Sequence, residues 1–299
     1  MKKLTNILLF TLLISVAMSA QKTKEAVLKK LDSQTEKYGS IAMQIWDLAE
    51  MGYLEEQSSS LLQETLSKEG FTIKKSVADI PTAFVAEYGS GLPIIAILGE
   101  FDALPGLSQQ AIPEKKSANG DAGHACGHHL FGTASAAAAI SVKQWMKNTK
   151  QKGTIRFYGC PAEEGGGAKV YMAREGLFDD VDIALHWHPG SQNAASAAAA
   201  LANISAKFRF YGISAHAAGA PEKGRSALDG VEAMNAMVNM MREHVPQEAR
   251  IHYVITDGGK APNVVPDFAE VYYYSRHNSR EVVRSIFDRI VKAGEGAAL

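Results

Sequence analysis

The order of apolar segments between Thr72 and Trp187 constrains the fold more than any other feature of the chain. Thr72 to Val77, Thr82 to Glu87 and Ile94 to Leu98 read as strands, and the last is a continuous apolar run of the kind buried on both faces of a sheet. An Ala-rich helix over Ala134 to Met146, a strand over Thr154 to Tyr158, a helix over Ala168 to Glu175 and an extended segment over Val181 to Trp187 follow. Strand and helix in alternation is the pattern of an α/β domain with a largely parallel sheet. Ahead of it, apolar residues from Val27 to Leu66 recur at helical spacing and Gly70 suits a helix C-cap, so two helices are expected between Lys22 and Gly70.

The pattern changes after the alanine-rich stretch Ala194 to Ala202, which is read as a junction. A strand over Ile204 to Ile213, a helix over Ala227 to Glu243, strands over Ile251 to Thr256 and Ala269 to Ser275, and a helix over Arg280 to Ala293 are expected. This βαββα order is an α+β, ferredoxin-like unit lacking its last strand. At 299 residues the chain has room for two domains, here expected at 21–203 and 204–299. It stops where a further element is expected, so the sequence is read as C-terminally truncated.

Residues 1–20 stand apart. Lys2 and Lys3, an apolar run from Leu4 to Met18 and the small residues Ser19 and Ala20 have the form of a secretory signal peptide, which places the mature protein in the periplasm or outside the cell. The run is shorter than the roughly 20 residues a spanning helix needs, so no membrane partner is expected of the mature form. Lys and Arg number 31 against 32 Asp and Glu, with no basic stretch interleaved with aromatics, which excludes a nucleic-acid partner.

The chemistry concentrates in Gly123-His-Ala-Cys-Gly-His-His129, where three of the nine histidines and one of the two cysteines fall within seven residues. Thiolate and neutral imidazole are good ligands for zinc and other first-row divalent ions. Cys126 and His128 would face different ways on a regular helix but converge on a turn leading into the Ala-rich helix. A disulfide from Cys126 to Cys160 is the competing use of the thiol. Glu163-Glu164 follows the strand ending at Tyr158, and His188 ends the segment from Ile183, both at the C-terminal ends of strands, where ligands gather in open α/β sheets. Glu163 and Glu164 converge only where the backbone bends, which Gly165 to Gly167 allow. One carboxylate would then bind metal while the other takes a proton. The competing reading is a solvated pair at a helix N-terminus. Spacing does not choose between His186 and His188. Asp102, ending the strand Ile94 to Leu98, is placed either to orient a ligand histidine or to cap the turn before Pro105. His216, Asn263 and Arg276 sit at strand ends or turns of the second domain.

Together, Gly99–Gln109 (GEFDALPGLSQ), Gly123–His129, Gly159–Gly165 (GCPAEEG), Trp187–Pro189, Ala215–Ala218 and Pro262–Val265 resemble the M20 metallopeptidase family, in its amidohydrolase branch and the p-aminobenzoyl-glutamate utilisation B group, from about Ala26 to Leu299 in order. The resemblance implies a catalytic domain holding two divalent ions, Mn²⁺ or Zn²⁺, on Cys126, His128, Glu164 and His188, with Glu163 as general base. It further implies an inserted lid and dimerisation domain. From there His216 reaches a neighbouring subunit's site to polarise the scissile carbonyl, while Asn263 and Arg276 hold the substrate and its carboxylate. It implies hydrolysis of N-aroyl or N-acyl amino acids such as p-aminobenzoyl-glutamate, with a homodimer or a heterodimer with a related A-type subunit. Dipeptidase or carboxypeptidase action, and a non-catalytic metal-binding subunit or inactive fragment, are the alternatives. Family members continue past the lid to a further ligand histidine.

Overall fold

The computed structural model of the protein describes residues 24–195 and 200–299. The leader at 1–20 and part of the alanine-rich junction lie outside them. The chain forms two compact units, Met1–Asn193 and Ala194–Leu299.

The first unit opens with helices α1 (residues 24–32), α2 (Thr35–Leu48) and α3 (Glu56–Lys68). Its sheet contains β1 (Thr72–Lys75), β2 (Phe84–Ser90), β3 (Ile94–Gly99), β6 (Gly153–Gly159) and β7 (Ile183–Leu185), in the order β1-β2-β6-β3-β7. The parallel part is β6-β3-β7, while β2 runs antiparallel to both β1 and β6. Only the connections between parallel strands need a crossing helix. These are supplied by α4 (His128–Thr149) between β3 and β6, and α5 (Ala168–Arg174) between β6 and β7. The two-residue strands β4 (Leu104–Pro105) and β5 (Ala122–Gly123) pair with each other in the long β3–α4 connection.

Alternation along the strands sends side chains to two cores. Phe84, Ile97, Ile155 and Phe157 pack with Ile45, Leu62, Leu66 and Ile140 of the helices α2, α3 and α4. Their neighbours Val85, Ala96 and Tyr158 pack with Ala168 and Met172 of α5 on the other face. Full burial of each large apolar side chain contributes roughly 1.5–3 kcal/mol.

The second unit has β8 (Ala202–Tyr211), α6 (Ala227–Met241), β9 (Arg250–Asp257), β10 (Phe268–His277) and α7 (Arg280–Ala298). The antiparallel sheet runs β8-β10-β9. Both helices lie on one face, where Val231, Met234, Val238, Ile286 and Ile290 bury Phe210, Ile251, Val271 and Tyr273. Ser226 and Ser279 cap α6 and α7 by accepting from the amides of Asp229 and Val282. Among the described residues no helix is long and apolar enough to cross a membrane.

Helix α4 starts at His128, six residues before the expected Ala134. Gly127 enters it at φ +77°, and a Cβ there would lie 2.8 Å from Pro189. The first turn then presses against the end of β3. A Cβ on Gly132 would stand only 2.6 Å from the Glu100 carbonyl oxygen and 3.2 Å from Leu62. Gly132→Ala must push helix and strand apart, and it is expected to destabilise the first unit by about 1–3 kcal/mol. Urea unfolding followed by tryptophan fluorescence reads this unit alone, since Trp46, Trp145 and Trp187 all belong to it. An unchanged midpoint would show that the contact is not tight.

Candidate metal centre

The parallel strands β3, β6 and β7 end side by side, and the chain leaving each carries acidic or imidazole groups. Glu100 and Asp102 follow β3, Glu163 and Glu164 follow β6, and His186 and His188 follow β7. Cys126 and His128 arrive from the turn and first residue of α4.

His128 sits at the centre and is fully buried. Its Nδ1 lies 2.8 Å from Asp102 Oδ1. The other Asp102 oxygen accepts the Glu164 amide at 2.8 Å. An ionised carboxylate only accepts, so Nδ1 carries the proton and Nε2 presents a lone pair. That lone pair faces oxygens: Glu100 Oε2 at 3.0 Å, and Glu163 Oε2 and Glu164 Oε1 both at 3.9 Å. His128 Nε2, Glu100 Oε2 and Glu164 Oε1 are all buried without a hydrogen-bond partner. Each such group costs about 1–3 kcal/mol when left unpaired, and acceptors facing acceptors cannot pair with one another. A cation satisfies all three. The donor set therefore fits a divalent metal.

Cys126 Sγ stands 3.4 Å from His188 Nε2, whose ring is set by Nδ1 against the Pro189 carbonyl at 2.9 Å. Ligand atoms of Cys126, His128 and His188 lie within 4.8 Å of one another, as do those of Glu100, His128 and Glu163. His186 turns elsewhere, with Nε2 3.8 Å from Glu100 Oε1. The choice that spacing leaves open is thus resolved in geometry: His188 faces the thiol and His186 faces Glu100. Beneath them the Phe131 ring, one turn along α4 from His128, packs edge-on at 5.0 Å from His186 and 6.0 Å from His188.

The electrostatics have one sign. Burial, then a hydrogen bond and charge from Glu164, push the Cys126 thiol up to about 12. Burial and the charge of Glu100 raise Glu163, with Lys169 opposing. For His128, burial favours the neutral ring, but the hydrogen bond and charge of Asp102 outweigh it and raise its pKa. The Lys169 ammonium pairs closely with Glu100 Oε1.

Cys126 and Cys160 are both free thiols. The alternative disulfide is not formed, because Cys160 is fully buried in the core on the α5 side of the sheet, its Sγ against the Tyr158 carbonyl at 3.3 Å. The bend at the glutamates begins earlier than the glycines suggest. Ala162 adopts a left-handed φ of +54°, and its carbonyl accepts the amides of Gly166 and Gly167. Glu100 and Lys169 join the site without having been expected there from the sequence. Glu100 stands in GEFD two residues from Asp102, and an acid ending a buried strand was the available signal. Nothing in the spacing marks Lys169.

In the second unit, His216 bridges Val264 across two antiparallel segments, and the Ala217 amide donates to the Asn263 carbonyl at 3.0 Å. His216 Nδ1 accepts the amides of Ala218 and Gly219, which places its proton on Nε2. Arg276 is not at this turn. The turn joins the sheet near Asp267, where β10 begins, whereas Arg276 lies eight residues along β10 from Phe268, about 27 Å of strand, with its guanidinium over the Tyr274 ring at 5.1 Å.

Residues 199–297 match the peptidase dimerisation domain of the M20 family. The chain is 50% identical over 272 residues to the B subunit of p-aminobenzoyl-glutamate hydrolase from Escherichia coli K12, an alignment covering 90% of this chain and 56% of that protein. It therefore spans little more than half the length of that relative. Its fold is similar to the crystal structure of an aminobenzoyl-glutamate utilization protein from Klebsiella pneumoniae (TM-score 0.65, 21% identity, 91% of this chain and 74% of the other). It is also similar to a dinuclear metal-binding peptidase of the M20 family from Bacillus subtilis (TM-score 0.57, 22% identity, 89% and 71%).

The cluster predicts that the protein binds Zn²⁺ or Mn²⁺ in calorimetric titration. Asp102→Asn keeps the shape but disturbs the His128 tautomer, and it is expected to weaken binding by about 10- to 100-fold, with Cys126→Ser and His128→Ala losing at least as much. Wild-type affinity in all three variants would remove these residues from any metal site.

Proposed function

The chain belongs to the M20 peptidase family, and from that premise we propose that it acts as a metal-dependent hydrolase of the amide bond in N-aroyl or N-acyl amino acids, p-aminobenzoyl-glutamate-like compounds among them. The observation that carries this reading is the pairing of buried, unpartnered donors with one carboxylate held open beside them. Glu164 is 18% exposed and has an orphaned oxygen, whereas Glu163 is 45% exposed. Distance does not separate them, since both stand 3.9 Å from His128 Nε2. Exposure does: the buried carboxylate suits a ligand, and the open one suits a group that must meet water.

Cys126, His128, Glu164 and His188 would hold the metal, two ions in the reading we favour. Bound divalent ions supply Lewis-acid polarisation of the amide carbonyl and ease deprotonation of the attacking water. Glu163 accepts the proton of that water at its carboxylate and returns it to the amine as the amide C–N bond breaks. Its raised pKa brings it closer to neutrality, which suits a group that must both take and give a proton. Asp102 keeps the His128 proton on Nδ1, so Nε2 stays available. The roles of His216 toward the carbonyl and of Asn263 and Arg276 toward the substrate's carboxylate rest on the family resemblance. So do a mixed zinc or manganese preference, self-association or pairing with an A-type subunit through the second unit, and export under the direction of residues 1–20.

Glu163→Gln is expected to lower hydrolysis of p-aminobenzoyl-glutamate by about 10²- to 10⁴-fold while metal binding stays at the wild-type level. A variant that kept near-normal turnover would remove Glu163 from the proton transfer. Dipeptides with a free amine cleaved faster than N-blocked analogues would move the assignment to a dipeptidase.

A further inference from the structure

Glu55 is a fully buried carboxylate outside the metal cluster, and the mechanism above does not use it. It lies just ahead of α3, and its side chain reaches away from that helix. Oε1 accepts the backbone amide of Ala162 at 2.7 Å, and Oε2 accepts the Thr82 hydroxyl at 3.1 Å. Ala162 is the left-handed residue immediately before Glu163. A non-glycine residue adopts that conformation only when its surroundings hold it there.

The neighbours of Glu55 grip the same turn. Tyr53 donates its hydroxyl to the Gly166 carbonyl at 2.8 Å, and its ring occupies the space that a Cβ on Gly166 would need. Gly52 packs so close to Ala162 that a Cβ there would stand 3.0 Å from its Cα. One residue earlier, Met51 bridges Ala103, and the Glu50 carbonyl accepts the Ala103 amide at 2.8 Å. The segment from Glu50 to Glu55 therefore touches the backbone next to Asp102 and the turn that carries Glu163 and Glu164.

We infer that Glu55 is a positioning residue for the glutamate pair, with Tyr53 as a second contact of the same clamp. Glu55 fixes the turn at Ala162, and Asp102 fixes it at the Glu164 amide, so Glu163 is suspended between two anchored peptides. This inference rests on the reading of Glu164 as a metal ligand. What the turn requires of Glu55 is an acceptor at Oε1 and any hydrogen-bonding partner for Thr82. Glutamine meets both needs, because the Thr82 hydroxyl can accept as well as donate.

The test is Zn²⁺ titration by calorimetry on the full chain and on Glu164→Gln, Glu55→Ala, Glu55→Gln and Tyr53→Phe. Metal-free thermal melts and amide exchange at Ala162 to Glu164 are recorded on each. Glu55→Ala is expected to weaken binding by about tenfold or more and to speed exchange in the turn, Glu55→Gln to restore both, and Tyr53→Phe to fall between with an unchanged melt. Wild-type affinity in Glu164→Gln would overturn the ligand reading itself. A loss in Glu164→Gln beside wild-type affinity in a folded Glu55→Ala would overturn the clamp alone. So would a glutamine variant as impaired as the alanine one, which would trace the effect to buried charge. If Glu55→Ala does not fold, Tyr53→Phe decides, and unchanged affinity and exchange there would overturn the clamp.

Discussion

Asp102 is the point on which the first unit's geometry turns. Its two oxygens are committed to different elements, one to the imidazole at the start of α4 and one to the peptide of the glutamate turn after β6. A carboxylate buried this completely is tolerable only when its lone pairs are met by donors. Hydrogen bonds to a charged group contribute about 1.5–3 kcal/mol each. The same two bonds that make Asp102 tolerable decide which nitrogen of His128 is free and where Glu164 sits. Stability and site geometry are here one set of contacts.

Such contacts need elements that approach closely, and the chain obtains that approach by omitting side chains. Gly132 lets α4 lie against the Glu100 carbonyl, and Gly127 lets the entry to α4 pass Pro189. Phe131, one residue before Gly132, fills the space under the imidazoles with a fully buried ring. The helix therefore contributes a ligand, a close backbone contact and an aromatic floor within its first five residues. Trp187 completes the floor, its indole donating to Ser135 further along the same helix at 3.1 Å.

Much of this was legible in the sequence because it depends on period and punctuation. Strand alternation in β6, the apolar run of β3, the βαββα order of the second unit and the clustering of Cys126 and His128 are local patterns, and the structure has them where they were expected. The antiparallel placement of β2 was not legible, because strand direction depends on which edges pair and not on side-chain periodicity. The early start of α4 was hidden by a run of histidine and glycine that reads as a turn until Gly127 is seen to enter the helix in the left-handed region. Glu55 was hidden for a different reason. It stands beside Glu56 in a polar stretch where burial is set by tertiary contacts with Thr82 and Ala162, 27 and 107 residues away.

The distribution of charge explains why so few of these acids can be exchanged for one another. Glu100 is neutralised by Lys169, Asp102 is satisfied by an imidazole and a peptide, and Glu55 by a peptide and a hydroxyl. Glu164 is left with a buried oxygen that no donor meets, and Glu163 with its carboxylate open to solvent. Five acidic side chains within one region thus occupy distinct environments, set by what each can accept from. An environment with a donor makes a carboxylate structural. One without a donor but closed to water makes it a ligand for a cation, and one open to water leaves it free to carry protons. The division of labour between the adjacent Glu163 and Glu164 follows from the left-handed turn at Ala162, which sends one carboxylate inward and leaves the other at the surface.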